Sequence, residues 1–177
     1  MSVFLQPIYT QTIGSGGSAS VTFNSIPQTF TDLQVVVSGR SNYSATRIYL
    51  GLQLNGVSSS SSYSNTVASG GGSSAGSGRN YTGTNEIYVA EINGATSTAN
   101  SFSNVEIYIP NYTSSNYKSL VADGVYENNI TEAFQVLCAG LFLNTSPITS
   151  LSVYPGGGYN FVQYSTISLY GVLRAGI

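Results

Sequence analysis

The chain has 177 residues, of which five are Lys or Arg, seven Asp or Glu and none His, giving a net charge of −2. Charged residues make up 7%, against about 25% in ordinary soluble domains. Histidine-dependent catalysis and His/Cys metal sites are excluded, and five scattered cations (Arg40, Arg47, Arg79, Lys118, Arg174) cannot form the basic patch a nucleic-acid partner requires.

The first predicted strand, 3–13, carries Phe4 and Tyr9. It lacks the basic start and the long apolar stretch of a signal peptide, and no membrane span is expected anywhere. Period-2 runs bounded by Gly, Pro, Asn and Ser predict further strands at 18–24, 31–39 and 46–55. Alternation is clear in Arg47-Ile-Tyr-Leu-Gly-Leu-Gln-Leu54, while Val35 to Val37 is continuously apolar, as in a central sandwich strand. Residues 56–84 break the pattern. Their Ser and Gly runs read as a flexible loop, or as an arm that orders against a neighbouring subunit.

Strands resume at 86–92, 102–109, 117–126, 133–143, 148–154 and 163–173, with Pro155-Gly-Gly-Gly-Tyr-Asn160 reading as a hairpin connection before the last. Helical periodicity is absent. The sequence therefore predicts one all-β domain over 1–177, an antiparallel β-sandwich of jelly-roll type with about 8–10 strands.

Candidate chemistry is sparse. Cys138 lies in an apolar run and is expected to be a buried structural thiol. The carboxylates Glu86 and Glu91, Glu106, Glu127 and Glu132, Asp32 and Asp123 could pair in a glycosidase-like cleft or bind calcium through oxygen. They form no dense motif, so no catalytic residue, metal ligand or cofactor is expected.

The fourteen tyrosines are more informative. An apolar ring with a polar tip suits flat, uncharged, permanently occupied interfaces; it suits sugar stacking and half-buried strand positions equally well. Candidate interface residues are Phe4, Tyr9, Tyr63, Tyr81, Tyr112 and Tyr159. Low charge also favours a homo-oligomer over a free monomer.

Three segments, in chain order, carry a resemblance. They are Val21-Thr-Phe-Asn-Ser-Ile-Pro-Gln-Thr-Phe-Thr-Asp-Leu33 with Arg40 after it, Leu52-Gln-Leu-Asn-Gly56, and Ser165-Thr-Ile-Ser-Leu-Tyr-Gly-Val172. The chain resembles small jelly-roll structural proteins of tailed bacteriophages, of the capsid decoration (cement), head-fibre or tail-associated type.

The resemblance implies a non-enzymatic virion protein, assembled in the host cytoplasm, that lies on the capsid surface and binds across subunits of the major capsid protein. It implies a homo-oligomer, a trimer being favoured, with residues 1–9 and the 56–84 loop reaching towards neighbours. Arg40 is expected to be a structural brace that needs a carboxylate or carbonyl partner. The alternative is a tail or fibre module that binds host surface polysaccharide through a concave tyrosine cluster. A glycan-cleaving enzyme is the weakest reading.

Overall fold

The period-2 pattern decides where strands form. In β3 (Asp32–Gly39) Leu33, Val35 and Val37 are fully buried, while Gln34, Val36 and Ser38 face the other way. β9 (Lys118–Tyr126) and β10 (Phe134–Phe142) alternate in the same manner. The computed structural model describes residues 3–130 and 132–174, apart from the side chains at 3, 79–84 and 174. The remaining strands are β1 (Val3–Thr12), β2 (Val21–Phe23), β4 (Arg47–Leu54), β5 (Tyr63–Gly71), β6 (Ser74–Thr84), β7 (Ile87–Asn93), β8 (Ser103–Pro110), β11 (Leu151–Pro155) and β12 (Thr166–Arg174).

They form two antiparallel sheets packed as a β-sandwich, ordered β1-β12-β3-β8-β9-β10-β5-β6 and β2-β11-β4-β7. Three connections stay within the larger sheet, β5–β6, β8–β9 and β9–β10; every other connection crosses from one sheet to the other. The β5–β6 and β9–β10 hairpins are inserted after β4 and after β8, and both lengthen the larger sheet. Eight strands therefore face four, and the far end of the larger sheet overhangs.

The core lies between the sheets. Leu50, Leu52, Ile87, Val89 and Ile92 of the smaller sheet meet Leu33, Val35, Val105, Ile107, Ile167 and Leu169 of the larger, all fully buried. Each such side chain stabilises the fold by about 1.5–3 kcal/mol. Among the described residues no helix is long and apolar enough to cross a membrane.

Three expectations are corrected. First, most of the segment read as a loop at 56–84 is a hairpin. β5 pairs with β10 along its whole length, from Tyr63 opposite Phe142 to Gly71 opposite Phe134. Gly72, at φ 55°, opens the tight connection to Ser74, and this is the residue a two-residue hairpin turn favours. Serine and glycine hold strand conformation here because the open edge of β10 supplies the hydrogen bonds.

Second, Tyr63 and Tyr112 are core residues and not interface residues, both fully buried. Tyr63 stacks on Phe142 with centroids 5.0 Å apart, and its hydroxyl donates to the Leu54 and Val57 carbonyls at 3.1 and 2.8 Å. The Tyr112 hydroxyl donates to the Pro27 carbonyl. A phenol can be buried whole when a backbone carbonyl meets its tip. Third, Pro155 to Asn160 joins β11 to β12 across the two sheets, so it is a crossover and not a hairpin.

Among the described residues, Asn65 and, at its side-chain oxygen, Asn128 carry buried polar atoms without a partner. Asn65 on β5 is 2% exposed, and neither its amide nitrogen nor its oxygen has a partner. An unsatisfied buried polar group costs about 1–3 kcal/mol. Asn65→Val is expected to raise the urea midpoint with an unchanged slope; a lower midpoint would show that the amide contributes to the fold.

Candidate functional site

The overhang creates a groove. Beyond the edge strand β7, the inner face of the β5–β6 hairpin is not covered by the smaller sheet. A cleft of about 320 Å³ lies there, lined by Val67, Ser69, Gly71, Ser74 and Gly76 on the hairpin side and by Arg47, Tyr88, Glu91 and Tyr126 opposite. Phe134 and Val136 of β10 line it as well.

The polar wall depends on an irregularity in β7. Pairing with β4 runs Tyr49–Glu91 and Leu50–Ala90, then shifts to Gly51–Tyr88. Val89 is the extra residue, and Val89 and Ala90 are both buried. The bulge puts Tyr88 and Glu91, three apart, on the same face, where strict alternation would have turned one of them into the core.

Glu91 is the hub of this wall. Arg47 Nε lies 2.9 Å from Glu91 Oε2, and the Tyr88 and Tyr126 hydroxyls both donate to the same carboxylate. Arg47 Nη1 also donates to the Tyr126 hydroxyl at 3.0 Å, with its guanidinium 5.6 Å from the Tyr126 ring centroid. Tyr126 stacks on Phe134 at 5.1 Å and 19°. Phe134 in turn lies against Gly71, whose missing side chain leaves room for the ring. Burial first, then the Glu91 charge, pushes the Tyr126 phenol up to about 12 and Tyr88 further in the same direction. A second carboxylate on the same outer surface, Glu86, accepts from the Tyr49 and Tyr154 hydroxyls.

Of the residues proposed from sequence, Phe4 and Tyr9 lie on β1 at the opposite edge of the larger sheet. Phe4 is 61% exposed, and Tyr9 stacks on Phe23 at 5.7 Å. Tyr159 rests on Tyr43 at 4.6 Å in the β11–β12 crossover. The Tyr81 side chain lies outside the described residues. With Tyr63 and Tyr112 in the core, these candidates do not gather into one surface.

Arg40 is buried at the end of β3. Its Nη1 donates to the Thr98 and Ser101 carbonyls at 2.7 and 3.0 Å, and its Nη2 to the Ala95 and Ser97 carbonyls at 3.1 and 3.0 Å. Ser101 Oγ, 3.4 Å from Nη1, donates to Glu127 at 3.2 Å, so the nearest negative charge is reached through a hydroxyl. Glu127 also accepts from the Thr98 hydroxyl, which contributes most to holding its carboxyl below the usual range.

No protein-family profile matches the chain, and comparison with curated proteins gives no match.

The other carboxylates separate by environment. Asp32 is buried and accepts from the Tyr108 hydroxyl and from the Asn111 amide at 2.8 Å. Glu106 and Asp123 face each other across β8 and β9 on the outer face, taking bonds from Gln34 and Gln135 at 3.2 and 3.0 Å. Cys138 is buried, with Sγ 3.0 Å from the Tyr88 carbonyl, and burial pushes its thiol up to about 12. Arg47, the Tyr88 and Glu91 pair, and Tyr126 with Phe134 come from three separate stretches of the chain, brought together by the pairing of β4 with β7, the pairing of β9 with β10 and the packing of the two sheets.

Proposed function

We propose that this chain is a non-enzymatic structural protein of a tailed-phage particle. In this reading a jelly roll decorates and cements the capsid by binding across major capsid protein subunits, as a homo-oligomer with a trimer favoured. The observation that carries it is the outer face of the larger sheet. There Val121, Val125 and Leu137 are 52%, 45% and 44% exposed on the neighbouring strands β9 and β10. No Lys or Arg occupies an outward position of β8, β9 or β10. A face on which exposed Val121, Val125 and Leu137 surround the Asp123 carboxylate, and which carries no cation, suits a protein contact.

The jelly-roll reading is supported by the order β1-β12-β3-β8 facing β2-β11-β4-β7; with the β5–β6 and β9–β10 hairpins set aside, every connection except β4 to β7 crosses between sheets. The segments that carry the phage resemblance supply β2, the start of β3, the end of β4 and most of β12; β3, β4 and β12 are internal to these sheets, and β2 is an edge strand. The non-enzymatic reading is supported by the engagement of Glu91, whose carboxylate is held by an arginine and two phenols. Binding only to the assembled shell would stabilise the shell by mass action.

Gold-labelled antibody on purified particles tests the assignment. Labelling over the whole head is expected, and Leu137→Glu should remove the protein from particles without lowering its melting temperature. Label confined to the tail tip would end the capsid reading.

A further inference from the structure

The groove under the β5–β6 hairpin has no part in docking through the outer face, because it opens on the other side of the larger sheet. Its chemistry narrows the choice of ligand. Arg47 and Glu91 form an ion pair at 2.9 Å, so the wall offers no surplus charge to a phosphate or carboxylate. An aliphatic ligand would take that pair, two phenol hydroxyls, Ser69 and Ser74 out of water and return no hydrogen bonds. The apolar surface of Phe134, Val67 and Val136 rules equally against a fully polar ion.

What fits is a molecule that presents C–H groups to one wall and hydroxyls to the other. We propose that this groove binds a neutral hexopyranose residue of a glycan. The apolar side of the ring packs on the half-buried Phe134 and Val67, and its hydroxyls exchange hydrogen bonds with Arg47, Glu91 and the Tyr88 hydroxyl. At about 320 Å³ the cleft is at the lower end of small-molecule sites, which run from about 300 to 1,000 Å³.

The site is built before the ligand arrives. Arg47 is fixed by Glu91 and by the Tyr126 hydroxyl, and Tyr126 is fixed by Phe134. Little side-chain ordering is left to oppose binding. The glycines of the hairpin keep the opposite wall low. A Cβ added at Gly76 would meet only Ser69 Oγ, at 3.8 Å, so a larger side chain there enters the groove and leaves the polar wall intact.

The test uses saturation-transfer NMR on the full chain with methyl α-D-mannopyranoside, methyl β-D-galactopyranoside and N-acetylglucosamine as probes. At least one is expected to receive saturation. Gly76→Leu should abolish that transfer at an unchanged melting temperature. Glu91→Gln, which keeps the shape and removes the charge, should weaken binding roughly tenfold. Absence of transfer to all three sugars, equal transfer to the Gly76→Leu protein, or preference for N-acetylneuraminic acid or inorganic phosphate would each overturn the proposal. None of these results bears on attachment to a capsid, which is read on the opposite face.

Discussion

Arg40→Met is expected to lower the unfolding free energy by about 3–5 kcal/mol, among the largest single-residue effects in the chain. Arg40 is 8% exposed, and its guanidinium satisfies four carbonyls of the 95–101 loop. Its own backbone is bonded to the start of β12: the Ser165 hydroxyl accepts from the Arg40 amide and donates to the Arg40 carbonyl, both at 3.2 Å.

Methionine would fill much of the volume and strand those acceptors in a place water reaches poorly. Arg40→Lys should recover only part of the loss, because an ammonium cannot span carbonyls on both sides as a planar fork does. Urea denaturation of the three proteins decides the matter. A cost below about 1 kcal/mol for the methionine variant would mean that the loop holds its shape without the brace.

Alkali should unfold this protein far more readily than mild acid. With no histidine in the chain, stability is expected to be nearly flat between about pH 6 and 8. Above that range the phenols and the thiol take over. Burial is the first cause that raises Tyr49, Tyr63, Tyr88, Tyr112, Tyr126 and Tyr154 above their ordinary 10.0, and it raises Cys138 above 9.0.

These groups ionise in the unfolded chain while the folded chain keeps them protonated. Their contribution is therefore complete below the unfolded values and is lost as pH rises towards the folded ones. Each group that differs fully removes about 1.4 kcal/mol per pH unit. Lys118 acts in the opposite direction. It is buried against the Asn116 and Ser146 carbonyls and lowered from 10.5 by burial, so deprotonation favours the folded state. It is one group against seven. Thermal melts through the alkaline range, followed together with tyrosinate absorbance, should show unfolding and ionisation rising together. Ionisation without unfolding up to about pH 11 would mean that the phenols are open to solvent.

Much of the fold is legible in the sequence because burial alternates where apolar residues alternate, as in Leu120, Ala122, Val136 and Cys138. The β5–β6 hairpin is not, since Gly70, Gly71 and Ser69 carry no apolar signal and are held by the edge of β10. Even so, Tyr63, Asn65 and Val67 keep the period, and Gly72-Ser73 is a recognised turn pair, so a trace was present. Tyr63 and Tyr112 deceive for another reason. Nothing local reveals that the Leu54 and Pro27 carbonyls wait to receive their hydroxyls. The groove stays hidden because a bulge at Val89 changes which way Glu91 points, and because Arg47, Tyr126 and Phe134 meet only across three strands.

The pairing of β12 with both β1 and β3 sets the timetable of folding. Neither β1 nor β3 can complete its hydrogen bonds until β12, many strands later in the chain, is available. Loop closure over such a span is entropically slow and leaves the edge of β3 open in the meantime. During synthesis the growing chain carries that sticky edge until β12 has emerged. Yield in a foreign host should then be limited by the speed of its completion more than by the stability of the finished sandwich.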